Sequence, residues 1–314
     1  MYSAVAGSSD NGIPSKEQKR MFFFVSLAVE GALAGVLYSL IALAFVVVYK
    51  ASRVINFAVG EWLMLAVLLV AAGVHAFGLT PAAAMAFACA GMFLFALLFN
   101  AIVLRHLVGR PLISLLMVTL GLGAFIRGVA QFASPSVPSG ISLPIPSDPV
   151  ILNALHIPTD KLIAALIAAL SVALLAWFHQ RSRTGVALRA IADDQQVAMA
   201  VGIDVYRYLL IAWCMAGAIC VVGGTLWTIV NGGGFGIGLV TVKIFPIVVI
   251  GGLDSIPGTI IAAILIGILE SIATGYLDPH FGGGCGLIAC YLVLVVMLFV
   301  RPFGLFGREV VQRV

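Results

Sequence analysis

Nine apolar runs, parted by short polar breaks, fill the sequence between residues 22 and 300: 22–49, 62–79, 81–104, 112–131, 162–178, 209–230, 240–250, 259–274 and 287–300. A helix needs roughly 20 apolar residues to cross the hydrocarbon of a bilayer. Inside lipid a backbone must satisfy its own N–H and C=O groups, which leaves helices as the economical solution. The pattern therefore predicts an all-α polytopic membrane protein with about 8–9 transmembrane helices. At 62% hydrophobic and only 10% charged residues, a soluble domain is excluded. The net charge of +4 is small and sits at loop ends. The bilayer is thus the expected partner, and no nucleic-acid surface is expected. The first run is too long for the apolar core of a signal peptide, so no cleavable leader is expected. Residues 1–20 read as a polar N-terminal tail and 21–314 as a single transmembrane domain.

The runs are uneven. Residues 240–250 are too few to cross alone, and Gly251, Gly252, Pro257 and Gly258 then interrupt the apolar sequence. Broken or short segments near 240–258 are the kind of irregular backbone that lines a pathway, because lipid does not tolerate it. Gly31 and Gly35 form G-x-x-x-G, which predicts close helix packing. The stretch 132–160 carries Pro135, Pro138, Pro144, Pro146, Pro149 and Pro158 and reads as a stiff irregular connector.

Basic residues mark one side of the membrane. Lys50 and Arg53, Arg105 and Arg110, the arginines of 179–208, and Arg301, Arg308 and Arg313 lie in alternate breaks, which places these breaks and the C-terminus in the cytoplasm. Nine crossings would then put Lys16, Lys19 and Arg20 outside. Either the tail is an exception to the charge rule or one early segment is re-entrant.

The strip 179–208 is the one long charged segment between runs. Thr184 and Gly185 open a short helical pattern through Val186, Leu188 and Ile191, with Arg189 on it. Asp193-Asp194-Gln195-Gln196 matches a capping box, with Asp193 accepting from the backbone three residues on and Gln196 reaching back. A second short helix then runs to Gly202, which tolerates a left-handed stop. Two capped amphipathic helices at a membrane surface fit either a solvated headgroup-lying loop or a pair that inserts into a partner's groove.

Ionisable residues inside apolar runs are expensive and point to function. Glu30, Glu61 (with Asn56 just before it), Arg127, Lys243 and Glu270 are the candidates, and Asp254 sits in the broken segment. Snorkelling to the interface would explain Arg127, Lys243 and Glu270 equally well, whereas Glu30 is expected to face the bundle interior. A zwitterionic substrate would need both signs of charge along its route.

The sequence holds no G-x-x-x-x-G-K-[ST] loop, no H-E-x-x-H and no G-x-S-x-G. The cysteines (Cys89, Cys214, Cys220, Cys285 and Cys290) form no C-x-x-C pair and read as packing residues. No catalytic site, metal site or bound cofactor is expected in this chain. An intramembrane enzyme has no support. An ion-coupled carrier or channel, relying on Glu30, Glu61 or Glu270, is the competing class.

Four blocks carry a resemblance. Residues 55–61, I-N-F-A-V-G-E, are similar to an I-N-F-A-x-G-E signature. Arg183-Thr184-Gly185 through Arg189-Ala190, then Ala198 to Gly202-Ile203, resembles a cytoplasmic loop of the same family. Residues 251–258, G-G-L-D-S-I-P-G, resemble G-G-x-G-S-I-P-G with Asp254 in place of the usual glycine. Residues 301–308, R-P-F-G-L-F-G-R, resemble R-P-T-G-L-F-G-R with Phe303 in place of threonine. The chain resembles the permease subunits of branched-chain amino acid ABC importers, the LivH type. That resemblance implies a multi-pass protein of the bacterial inner membrane. Its partners would be two ATP-binding subunits that carry ATP and Mg, a second related permease or a second copy, and a periplasmic substrate-binding protein. It makes 179–208 the coupling loop to the ATPases. Relatives of this architecture also import urea, short amides or aromatic acids, so the substrate stays open between these and branched-chain amino acids.

Overall fold

A computed structural model describes residues 16–104, 112–133, 150–152 and 155–307. The N-terminal tail to residue 15, Arg105, Arg110, Arg308, Arg313 and the prolines at 135, 138, 144, 146 and 149 lie outside the described residues. The expectations that fell on them are not addressed by the structure.

Each apolar run becomes a helix. The elements are α1 (Lys16–Ser52), α2 (Val59–His75), α3 (Pro81–Phe99) running on into a π-helical turn (Asn100–Leu104), and α4 (Leu112–Ala133). Then come α5 (Thr159–Arg181), two short helices α6 (Arg183–Asp193) and α7 (Gln195–Ala200), and α8 (Val205–Asn231). A 3-10 turn (Phe235–Leu239) leads into α9 (Val240–Gly251), followed by α10 (Ile256–Phe281) and α11 (Cys285–Val300). Six of these helices are long and apolar enough to cross a membrane. Three shorter apolar ones, 59–75, 235–251 and 285–300, complete the set among the described residues. The chain is a multi-pass membrane protein. Ahead of α5, the described residues include two short antiparallel strands, β1 (Val150–Leu152) and β2 (Leu155–Ile157), in which Val150 pairs with Ile157. Pro158 directly precedes α5.

Helix α1 is the axis of the bundle. Every residue from Leu37 to Val48 is buried, as expected of a helix apolar on all sides. It packs on α10, α8 and α5. The α1–α10 crossing is close because glycines face each other. A Cβ on Gly31 would sit 2.6 Å from the Gly267 carbonyl, and one on Gly35 2.7 Å from Ile264 Cα. The G-x-x-x-G expectation is met, with Gly267 as the partner surface. On the other side of the core Trp62, Trp213 and Phe99 interlock, with ring centroids 4.8–6.0 Å apart. Helices α3, α4 and α5 instead turn leucines and phenylalanines outward, among them Phe93, Phe125, Leu166 and Leu170. A lipid-facing rim needs such a surface.

The α1–α10 crossing gives a direct stability test. Gly267→Val should destabilise the protein by about 1–3 kcal/mol through overpacking. It should appear as a lower unfolding temperature in detergent. Gly121→Val, where a Cβ meets nothing within 4 Å, should leave that temperature unchanged.

Candidate functional site

Two regions gather the candidate residues: the strip between α5 and α8, and a set of ion pairs inside the bundle. In the strip, the Ser182 hydroxyl caps α6 by accepting from Gly185 N at 2.9 Å. Thr184 occupies the first turn. Gly185 is required there, because a Cβ would meet the His179 backbone, with its Cα 2.9 Å away. Arg189 Nη1 donates to His179 O at 2.6 Å and Nη2 to Gln180 O at 3.4 Å. A cation thereby closes the open carbonyls at the end of α5. Leu188 and Ile191 are buried against the bundle. Arg53, just past α1, donates through Nε and Nη2 to Ala192 O near the end of α6. Helix α6 is thus fastened to α5 through Arg189 and to α1 through Arg53.

The cap of α7 differs from the expected one by a residue. Asp194, not Asp193, accepts from Gln196 N at 2.7 Å and Val197 N at 3.0 Å. Asp193 closes α6 instead. Gln196 contributes its backbone N–H at the second helical position, too early for the reciprocal bond of a capping box. Gly202, at φ +85°, ends the helix as expected. Val186 on α6, Val197 and Met199 on α7, and Val201 just past its end are all exposed.

A polar cavity of about 300 Å³ lies where the strip meets the bundle, lined by Lys50, Arg53, Arg189, Asp193 and Asp254. The charge of Asp254 therefore faces a basic cluster across the cavity. The turn that holds it is closed by the chain's own tail. Leu305 N donates to Ile250 O at 2.8 Å. The Ser255 hydroxyl caps α10 through Gly258 N. Gly252, at φ +99°, lets Gly307 N approach to 2.7 Å of where a Cβ would be. The two glycine-rich blocks recognised separately in the sequence are one packed unit.

Within the bundle, the buried Asn56 accepts from Ala58 N at 3.0 Å and shapes the turn into α2. Phe57 stacks on Phe245 of α9. Glu61, in the first turn of α2, forms an ion pair at 2.8 Å with Arg127 of α4. Helix α2 begins opposite the middle of α4, since a Cβ on Gly123 would touch the Glu61 carboxylate. Gly60 packs against Gly238 of the 3-10 turn. Lys243 of α9 pairs with Glu270 Oε1 at 2.5 Å, and the Tyr38 hydroxyl donates to Glu270 Oε2 at 2.8 Å. Glu30 pairs with Lys161 of α5 at 3.5 Å. Arg127, Lys243 and Glu270 are therefore members of pairs between helices. Glu30 lines a cavity rather than a dry interior. Lys161 and Tyr38 were not evident as site residues in the sequence. Lys161 stands one residue ahead of an apolar run, and Tyr38 reads as one more apolar residue within one. Among the described residues no three His, Cys, Asp or Glu side chains gather as metal ligands.

A family model described as "Branched-chain amino acid transport system / permease component" matches residues 27–301. The high-affinity branched-chain amino acid transport system permease protein BraD of Pseudomonas aeruginosa is 26% identical over 311 residues, covering 94% of this chain and 99% of that relative. The LivH protein of Escherichia coli K12, which bears the same description, is 26% identical over 316 residues with the same coverage. A probable LivH of Methanocaldococcus jannaschii is 33% identical over 136 residues, 41% of this chain and 42% of that relative.

The Glu61–Arg127 pair should be energetically coupled. A double-mutant cycle with Glu61→Gln and Arg127→Gln, read by unfolding in detergent, should give a coupling on the order of 1–2 kcal/mol. Either single change should cost more than the double change, since each alone strands a charge.

Proposed function

Because the chain belongs to the branched-chain amino acid transport system permease family, we propose that it is the membrane-spanning permease subunit of a binding-protein-dependent ABC importer. Its substrates are branched-chain, hydrophobic amino acids. ATP and Mg bind to two separate ATP-binding subunits. A second permease, related or identical, completes the pathway, and a periplasmic protein delivers the substrate at the bacterial inner membrane. The strip and the C-terminus face the cytoplasm, in line with the basic breaks. The names of the relatives support the substrate class.

The observation that carries this proposal is the build of the strip. Two capped helices present Val186, Val197, Met199 and Val201 outward, while α6 is bonded into the bundle through Arg53 and Arg189. A loop lying free on headgroups needs no such fastening. A lever between a partner's groove and the spans does. Closure of the ATPase pair moves α6 and α7 as a unit. Arg53 passes the displacement to the α1–α2 turn, and Arg189 passes it to α5. The turn holds Asn56 and leads into Glu61 in the first turn of α2, so the Glu61–Arg127 contact beside Gly238 moves with it. Alternating access follows as the helices tilt between two packings.

Three outcomes test this. Uptake of leucine into vesicles should require ATP, the ATP-binding subunits and the external binding protein. Uptake driven by an ion gradient without ATP would instead point to a secondary carrier. Val197→Asp with Met199→Asp should abolish copurification of the ATP-binding subunits while the permease itself still folds. Arg53→Ala should leave the complex assembled and hydrolysing ATP but lower uptake roughly tenfold, because the coupling free energy and not the docking is removed.

A further inference from the structure

A cavity of about 320 Å³ opens among α1, α5, α8, α9 and α10, at the end of the bundle opposite the strip. Its charged lining is Glu30, Lys161, Lys243 and Glu270, with Tyr38 and Trp227 beside them. Two acidic and two basic side chains have formal charges that cancel. A ligand of net charge would leave such a site unbalanced in a medium where stray charge is expensive. A net-neutral molecule carrying both an ammonium and a carboxylate gives every group a partner.

The two ion pairs differ in how firmly they are held. Glu270 is engaged at both oxygens, by Lys243 at 2.5 Å and by Tyr38 at 2.8 Å. Lys161 and Glu30 stand 3.5 Å apart, each with about a third of its side chain exposed. The looser pair is the one that can open to admit a ligand, and the tighter triad forms the fixed floor. The rest of the wall mixes the apolar Leu33, Leu37 and Val230 with the polar Asn231, Ser271 and Thr274. At about 30 Å³ per water the space holds roughly ten waters, comparable with the heavy atoms of one branched-chain amino acid.

We propose that this cavity is a binding site for a free zwitterionic α-amino acid. Glu30 takes the ammonium, Lys161 and Lys243 take the carboxylate, and the leucine and valine wall takes the side chain. The proposal rests on the permease function above and locates a substrate station within this chain.

The test compares three ligands: leucine, leucinamide (which lacks the carboxylate) and 4-methylpentanoate (which lacks the ammonium). Binding is measured to the purified chain with its copurifying subunits, without the external binding protein. Maltoside micelles are used because they carry no zwitterionic headgroup. Leucine should bind about tenfold more tightly than either analogue, equivalent to about 1.4 kcal/mol. Glu30→Gln should weaken leucine and leucinamide but not 4-methylpentanoate. Lys161→Gln should weaken leucine and 4-methylpentanoate but not leucinamide. The ranking on the unaltered protein stands even where a variant folds poorly. Equal binding of all three ligands, no binding of leucine, or variants that keep the unaltered protein's unfolding temperature yet shift all three alike would overturn the site. If the site is overturned while ATP-driven leucine uptake persists, the importer function stands. If leucine binds as predicted but uptake needs no ATP, the site stands and the importer function falls.

Discussion

A backbone that breaks inside hydrocarbon has to find its hydrogen-bond partners within the protein. Among the described residues, the chain breaks between helices at 53–58, 232–239 and 252–255, among other places. Each break is closed differently. Asn56 supplies its own acceptor to Ala58, and Thr119 of α4 donates to Ile55 O. The 3-10 turn lies against Gly60, where any side chain would collide. The third break is capped by Ser255 and covered by the tail, with Leu305 bonded to Ile250. The glycine-rich signature blocks are the places where two backbones must touch.

The same constraint orders the charges. An unpaired ionic side chain at membrane depth is costly, and the three pairs Glu61–Arg127, Lys243–Glu270 and Glu30–Lys161 each join residues from different helices. None is a local pair along one helix. Each therefore reports a specific helix packing and would be disturbed by a shift of either partner. Arg53 adds a backbone cost. Its φ of +55° is left-handed, on the order of 1 kcal/mol for a residue with a side chain. That conformation accompanies a guanidinium bonded to Ala192 O.

The helices were legible in the sequence because lipid enforces length and apolarity with little ambiguity. The 12-residue α9, the two helices of the strip and the Gly31–Gly35 contact follow from local signals. Where several residues satisfied one rule, the sequence could not choose. Asp193 and Asp194 both suit a cap, and only the exact end of α6 selects Asp194. Ser182 caps α6 from within a run of arginines, Arg181 and Arg183, so nothing local distinguishes it from Thr184 as the helix start. Pairing across helices is a tertiary fact. Glu270 could be placed near a membrane surface, but its partners Lys243 and Tyr38 lie 27 and 232 positions away. Tyr38 carries no charge to announce its role.

The geometry joins the two regions. Glu30, Lys161 and Glu270, the charges around the outer cavity, ride on α1, α5 and α10. Followed to their other ends, all three helices arrive at the strip. Helix α1 leads to Arg53, bonded to Ala192. Helix α5 leads to His179, bonded by Arg189. Helix α10 begins beside Asp254, which shares a cavity with Arg189 and Asp193. Glu30 stands roughly 33 Å along α1 from its last residue, at 1.5 Å per residue. Buried on all sides from Leu37 to Val48, the middle of that span is packed tightly enough to transmit a tilt rather than absorb it. The glycine crossing of α1 and α10 lies at the cavity end, starting one residue from Glu30, with Gly31 and Gly267 both in the cavity wall. A displacement at the strip that parts α1 from α5 thereby acts on the Glu30–Lys161 pair, the looser of the two contacts in the cavity. The cavity and the strip lie at opposite ends of the same three helices. To the extent that the strip shifts this pair, a ligand between Glu30 and Lys161 biases the strip by the same free energy.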